Sequence, residues 1–162
     1  MALIIIADDD ELVLDVVRFA LEGEGHVVGV LHDGTDVKKV VELKQPDLVI
    51  LDCLMPGRSG VDALRDLRGS QIAYKTPVLM LTARAGRTDE GIALRCGADD
   101  YLCKPFEVDQ LLTRVKAILA EAENRYCQSD ANSYSHDAFR SLGQYSSWRA
   151  TATPPAHRRY VA

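Results

Sequence analysis

The chain has 162 residues and a net charge of −5, with 47% hydrophobic and 27% charged residues. That composition belongs to a globular domain with a real core, and it excludes a chain disordered throughout. The longest aliphatic runs, Leu3–Ala7 and Leu48–Leu51, are too short to cross a bilayer, and the acidic N-terminus is unlike a signal peptide, so a cytoplasmic location is expected.

The elements follow in chain order. Leu3–Ala7 predicts a strand, β1, ending in Asp8-Asp9-Asp10. Leu12, Val16, Phe19 and Ala20 recur at helical spacing and predict α1, with Asp10 as its cap and Gly23 or Gly25 as its end. Val27–Leu31 predicts β2, and Thr35 is placed to cap α2, which holds Val37, Val40, Val41 and Leu43. Asp47–Asp52 holds β3. A turn at Met55-Pro56-Gly57 precedes α3, Val61–Leu67, with Ser59 as its cap. Pro77 opens β4, Val78–Leu81. Thr88 caps the predicted α4, which stops near Gly97. Tyr101–Cys103 predicts β5, Lys104-Pro105 breaks the chain, and α5 is expected from Glu107 to Glu123 with Leu111, Leu112, Val115, Ile118 and Leu119 on its apolar face.

Five strand–helix units with continuously aliphatic strands imply a parallel sheet buried on both faces. The fold class is therefore α/β, and the doubly wound order 2-1-3-4-5 fits it, with a crevice where the winding reverses between β1 and β3. From Asn124 the pattern collapses: only Phe139, Leu142, Trp148 and Val161 are large and apolar, and serines are frequent. Residues 1–122 are expected to form one domain and 123–162 a polar, largely disordered tail with no recognisable output domain.

Neither part is basic enough for a nucleic-acid footprint, so no direct nucleic-acid or membrane contact is expected. Cys53, Cys96, Cys103 and Cys127 lack metal-ligand or redox spacing and are expected to be reduced, three of them in the core. His26, His32, His136 and His157 show no partner spacing. Gly23, Gly25 and Gly29 are wrongly spaced for a dinucleotide loop and precede a strand.

The chemistry gathers at the carboxyl ends of the strands. Asp8 and Asp9 follow β1, Asp52 ends β3, Thr82 follows β4 and Lys104 follows β5. Carboxylates converging there repel one another unless a cation intervenes, and hard oxygen ligands in a water-accessible site suit Mg²⁺. A carboxylate can also take a phosphoryl group as an aspartyl phosphate, with a cation, an ammonium and a hydroxyl around the phosphoryl oxygens.

Four segments in order, Ile4–Asp10, Asp47–Gly60, Val78–Ala83 and Gly97–Phe106, resemble the response-regulator receiver domain of two-component signalling. The resemblance implies that Asp52 accepts a phosphoryl group from the phosphohistidine of a sensor histidine kinase or histidine phosphotransfer protein. Asp8, Asp9, Asp52 and the Leu54 carbonyl would hold Mg²⁺. Lys104, its bond to Pro105 often cis, would pair with a phosphoryl oxygen, beside Thr82 and Ala83. Tyr101 would be the switch aromatic, and the face of α4, β5 and α5 would change its affinity for a downstream protein or for a second copy. Leu54 and Arg84 occupy positions that tune the phosphoryl lifetime, and neither side chain can orient an attacking water, so slow self-dephosphorylation is expected. A stand-alone receiver, not an enzyme acting on other molecules, is the reading. Two alternatives differ from it: a haloacid-dehalogenase-like phosphatase using Asp8 as nucleophile in Asp8-x-Asp10, and a truncated DNA-binding regulator.

Overall fold

The computed structural model describes residues 1–83 and 96–137, the last twelve of these by backbone only. The chain divides into two units, of which the first, Met1–Arg125, is compact. In the first, five parallel strands, Leu3–Ala7, Val27–Leu31, Leu48–Asp52, Val78–Thr82 and Asp100–Cys103, lie in the order β2-β1-β3-β4-β5. Every residue of β3 and β4 is buried, whereas β2 at the edge is only partly so, as the aliphatic runs required.

Side chains alternate between two cores. On one face Ile4, Ile6, Ile50, Leu79 and Leu81 pack with Leu14, Val17 and Leu21 of α1 (Glu11–Gly23) and with Leu111, Val115 and Ile118 of α5 (Val108–Asp137). On the other, Val49, Leu51, Val78 and Met80 pack with Val37 and Val41 of α2 (Val37–Lys44) and with Ala63, Leu64 and Leu67 of α3 (Gly60–Arg68). The residues read as α4 lie almost wholly within 84–95, outside the described residues.

Several sequence expectations need correction. In α1 the buried stripe is Leu14, Val17 and Leu21, while Leu12, Val16 and Phe19 are exposed. The helix carries two apolar stripes, and periodicity cannot say which one meets the sheet. Thr35 does not cap α2. Its N–H donates to Asp33 Oδ1 at 2.7 Å, and the N-cap residue is Asp36, whose side chain makes no capping bond. Leu43 is exposed, because an eight-residue helix ending at a left-handed Gln45 turns only Val37 and Val41 inward. The last helix continues past Glu123 to Asp137: no glycine or proline interrupts it there, and lack of apolar residues alone does not stop a helix. Residues 138–162 lie outside the described residues. Cys53 and Cys96 do pack against the second core, half-buried, and Cys103 is half-buried as well.

One clamp has no signature in the sequence. From the end of α3, Arg68 donates through Nε to the Gly97 carbonyl at 2.7 Å and through its amino groups to the carbonyls of Thr76 and Tyr74 and to Asp99 Oδ2 at 3.0 Å. Asp99 Oδ2 also accepts the Val78 N–H at 2.9 Å, so the clamp sets the entry into β4 and β5. Burial lowers the Arg68 pKa, with Asp99 opposing. Replacing Arg68 with alanine is expected to cost about 1–2 kcal/mol of unfolding free energy in urea, since three carbonyls and the half-buried Asp99 lose the donor they share. Lysine should recover less than half, because a point ammonium cannot span the same acceptors. A loss below about 0.5 kcal/mol would show that water replaces the guanidinium freely.

Candidate phosphoacceptor site

The strand register brings the acidic residues to one edge. Ala7 pairs with Leu51, so Asp8 and Asp52 stand side by side at the carboxyl ends of β1 and β3. Thr82 pairs with Cys103, which places Lys104 just beyond β4. Asp8 is fully buried, Asp52 and Thr82 nearly so, and Asp9 is exposed. The hydroxyl-bearing Thr82 and the ammonium of Lys104 thus flank the two buried carboxylates, as the sequence had ordered them.

Lys104 Nζ bridges the pair, 2.6 Å from Asp8 Oδ2 and 2.8 Å from Asp52 Oδ1. The other oxygens are held by the backbone: Asp8 Oδ1 accepts the Asp10 N–H at 3.0 Å, and Asp52 Oδ2 accepts the Leu54 N–H at 2.8 Å. Lys104 is itself fixed by its N–H donating to the Thr82 carbonyl at 2.7 Å and precedes a cis peptide to Pro105. Burial raises the Asp8 pKa above the usual carboxyl value, against the opposing Lys104 and Asp10 bonds. Burial disfavours the Lys104 ammonium, but its bonds to Asp52 and Asp8 outweigh this and raise its pKa.

Carboxylate oxygens of Asp8, Asp9 and Asp52 lie within 4.8 Å of one another. Counted formally, three carboxylates and one ammonium leave two negative charges, which a divalent cation would balance. All donors are hard oxygens and one, on Asp9, is open to water, so the residues fit Mg²⁺. The Leu54 side chain is exposed at the mouth of the site, Ala83 is exposed beside Thr82, and Arg84 lies outside the described residues. Asp10, the second acid of the phosphatase motif, spends Oδ1 on the N–H groups of Leu12 and Val13, capping α1 as expected.

Tyr101 is partly buried on β5. The Arg114 guanidinium lies 5.9 Å from its ring centroid and is held in place by Asp100 through bonds of 2.6 and 2.8 Å. The Leu54 N–H, the Asp100–Arg114 pair and the close seat of Gly60 under Asp52 were not read from the sequence. Only Gly60, a glycine at a helix start, left a visible trace there.

A doubly wound α/β protein with buried carboxylates and a lysine at its switch point is thereby defined. The family model of the response regulator receiver domain matches residues 4–116, and the chain belongs to that family. A protein described as a response regulator from Chloroflexus aurantiacus J-10-fl superposes with a TM-score of 0.71 at 34% identity, over 74% of this chain and 98% of that one. The receiver domain of a Francisella response regulator gives 0.70 at 30%, over 75% and 98%. The receiver domain of a sensor histidine kinase from Pseudomonas aeruginosa PAO1, with a magnesium ion coordinated in its active-site cleft, gives 0.69 at 27%, over 74% and 98%. Among the described residues no helix is long and apolar enough to cross a membrane.

Proposed function

We propose that the protein is a cytoplasmic phosphoacceptor switch, and that Asp52 takes the phosphoryl group from the phosphohistidine of a sensor histidine kinase or histidine phosphotransfer protein. The observation that carries this reading is the Lys104 bridge between Asp8 and Asp52, with a third carboxylate within reach. Asp8, Asp9, Asp52 and the Leu54 carbonyl would hold Mg²⁺, which when bound neutralises charge on the phosphoryl oxygens. The Leu54 N–H keeps the Asp52 carboxylate in one orientation. An Asp52 oxygen forms the new bond to phosphorus as the phosphorus–nitrogen bond to the histidine breaks. Lys104 gives up its contact with Asp52 and pairs with a phosphoryl oxygen, while Thr82 and Ala83 border the same group. Tyr101 then shifts with Thr82, and the face of α4, β5 and α5 changes its affinity for a downstream protein or a second copy. The chain catalyses only its own phosphoryl transfer and its slow loss, the loss slow because neither Leu54 nor Arg84 carries a carboxylate or amide with which to orient an attacking water.

Intact mass after incubation with Mg²⁺ and acetyl phosphate tests this. One phosphoryl group is expected on the wild type and none on Asp52→Asn. A phosphoryl group that survives Asp52→Asn but disappears in Asp8→Asn would replace the switch by the phosphatase reading.

A further inference from the structure

The loop of residues 53–59 starts directly after Asp52 and carries the Leu54 backbone. Its base is closed by two bonds: the Leu54 N–H to Asp52 Oδ2 at 2.8 Å and the Gly60 N–H to the Cys53 carbonyl at 3.2 Å. Its outer half rests on the loop between β2 and α2. Gly34 is buried there, and a Cβ added to it would overlap the Arg58 carbonyl oxygen and lie 3.0 Å from the carbonyl carbon. A Cβ on Gly57 would meet Thr35 Oγ1 at 3.5 Å, in the same neighbouring loop. That neighbour is stiffened by the Thr35 N–H bond to Asp33. From the other side the Arg58 guanidinium reaches Asp66, two turns along α3.

We propose that Gly34 and the Arg58–Asp66 ion pair are positioning elements for the cation site: together they set how far the 53–59 loop stands above the sheet edge. This rests on the reading that Mg²⁺ binds at Asp8, Asp9 and Asp52. None of the three touches the reacting atoms. Gly34 is the backstop on which the Arg58 backbone sits, and the ion pair pulls the same residue down onto α3. Mg²⁺ demands near-ideal octahedral geometry, so a small lift of the Leu54 backbone relative to the carboxylates lowers affinity. A loop held only at its base would keep the Asp52 bond yet lose that fixed height.

Mg²⁺ affinity by isothermal titration calorimetry, read beside the urea midpoint of the same Mg²⁺-free samples, tests the proposal. Gly34→Ala is expected to weaken Mg²⁺ about tenfold, because the backbone it meets cannot yield locally and must carry the loop with it. Arg58→Gln and Asp66→Asn should each weaken it about threefold, the scale of a half-exposed ion pair. Arg58→Lys, and the reversed pair Arg58→Asp with Asp66→Arg, should restore most of the affinity. The sign at Arg58 separates causes: removing a positive charge near a cation site would strengthen Mg²⁺ binding by electrostatics alone, whereas a lost tether weakens it. Tighter or unchanged binding by Arg58→Gln, with lowered urea midpoints only, overturns the proposal; should Gly34→Ala not fold, the Arg58 and Asp66 variants decide it. A wild type that binds no Mg²⁺ overturns the cation-site reading and this one with it, whereas a wild type that binds while all variants match it overturns this one alone.

Discussion

Lys104→Met is expected to destabilise the protein by about 3 kcal/mol at pH 7, the scale of removing one partner from a buried ion pair. Lys104 stands between Asp8 and Asp52, which are themselves almost without solvent contact. Methionine fills the space of the alkyl stem but leaves two buried carboxylates facing each other. Burial already holds the Asp8 pKa above its ordinary value, and the Lys104 bond is the largest effect opposing it, so losing Lys104 moves Asp8 further up. A carboxyl with a raised folded pKa binds more protons in the fold than in the unfolded chain, so its contribution falls as pH rises from its ordinary value of 3.8 through the folded value. The deficit of the variant should therefore be largest at pH 7 and shrink toward pH 5. Urea unfolding of both proteins at the two pH values checks this, and a deficit equal or larger at pH 5 would refute it. Millimolar Mg²⁺ should stabilise the variant more than the wild type, because the cation no longer competes with an ammonium for the same oxygens.

Gly60→Ala is expected to cost about 3 kcal/mol, at the upper end of overpacking in a well-filled interior. A Cβ at position 60 would overlap the carbonyl oxygen of Asp52 and lie 2.9 Å from its carbonyl carbon. The obstacle is backbone at the end of a fully buried strand, so no side chain can swing aside. Either the start of α3 lifts, breaking the 3.2 Å bond from the Gly60 N–H to the Cys53 carbonyl, or Asp52 itself moves. Phosphorylation by acetyl phosphate should slow along with the loss of stability. Gly23→Ala is the control: nothing lies within 4 Å of a Cβ there, and it sits at the end of α1. That change should stabilise by about 0.5 kcal/mol through helix propensity. Equal urea midpoints for the two alanine variants would show that α3 relaxes at no cost.

The site was legible because its chemistry sits at strand ends, and strand ends are where aliphatic runs stop. Asp8 and Asp52 each close such a run, and a buried charge in that place needs a reason. Ser59 and Asp10 were legible as caps for a local reason: each bonds to N–H groups two or three residues away. Thr35 shows the limit of the same rule, since Asp33 reaches the backbone first.

Sequence by itself determined the α/β class and the apolar face of α5, because each follows from local periodicity, and it put Asp8, Asp9, Asp52 and Lys104 at strand ends; the family came from the resemblance of four ordered segments, and the order 2-1-3-4-5, which brings those residues together, was one of the few that periodicity allows. Tertiary structure alone decided which of two apolar stripes of α1 is buried, that Lys104 bridges Asp8 and Asp52, that Arg68 clamps the entries to β4 and β5, and that Gly34 and Gly60 carry no Cβ because backbone occupies its place. These contacts join residues far apart in the chain, and no spacing along one strand or helix encodes the distance between two of them.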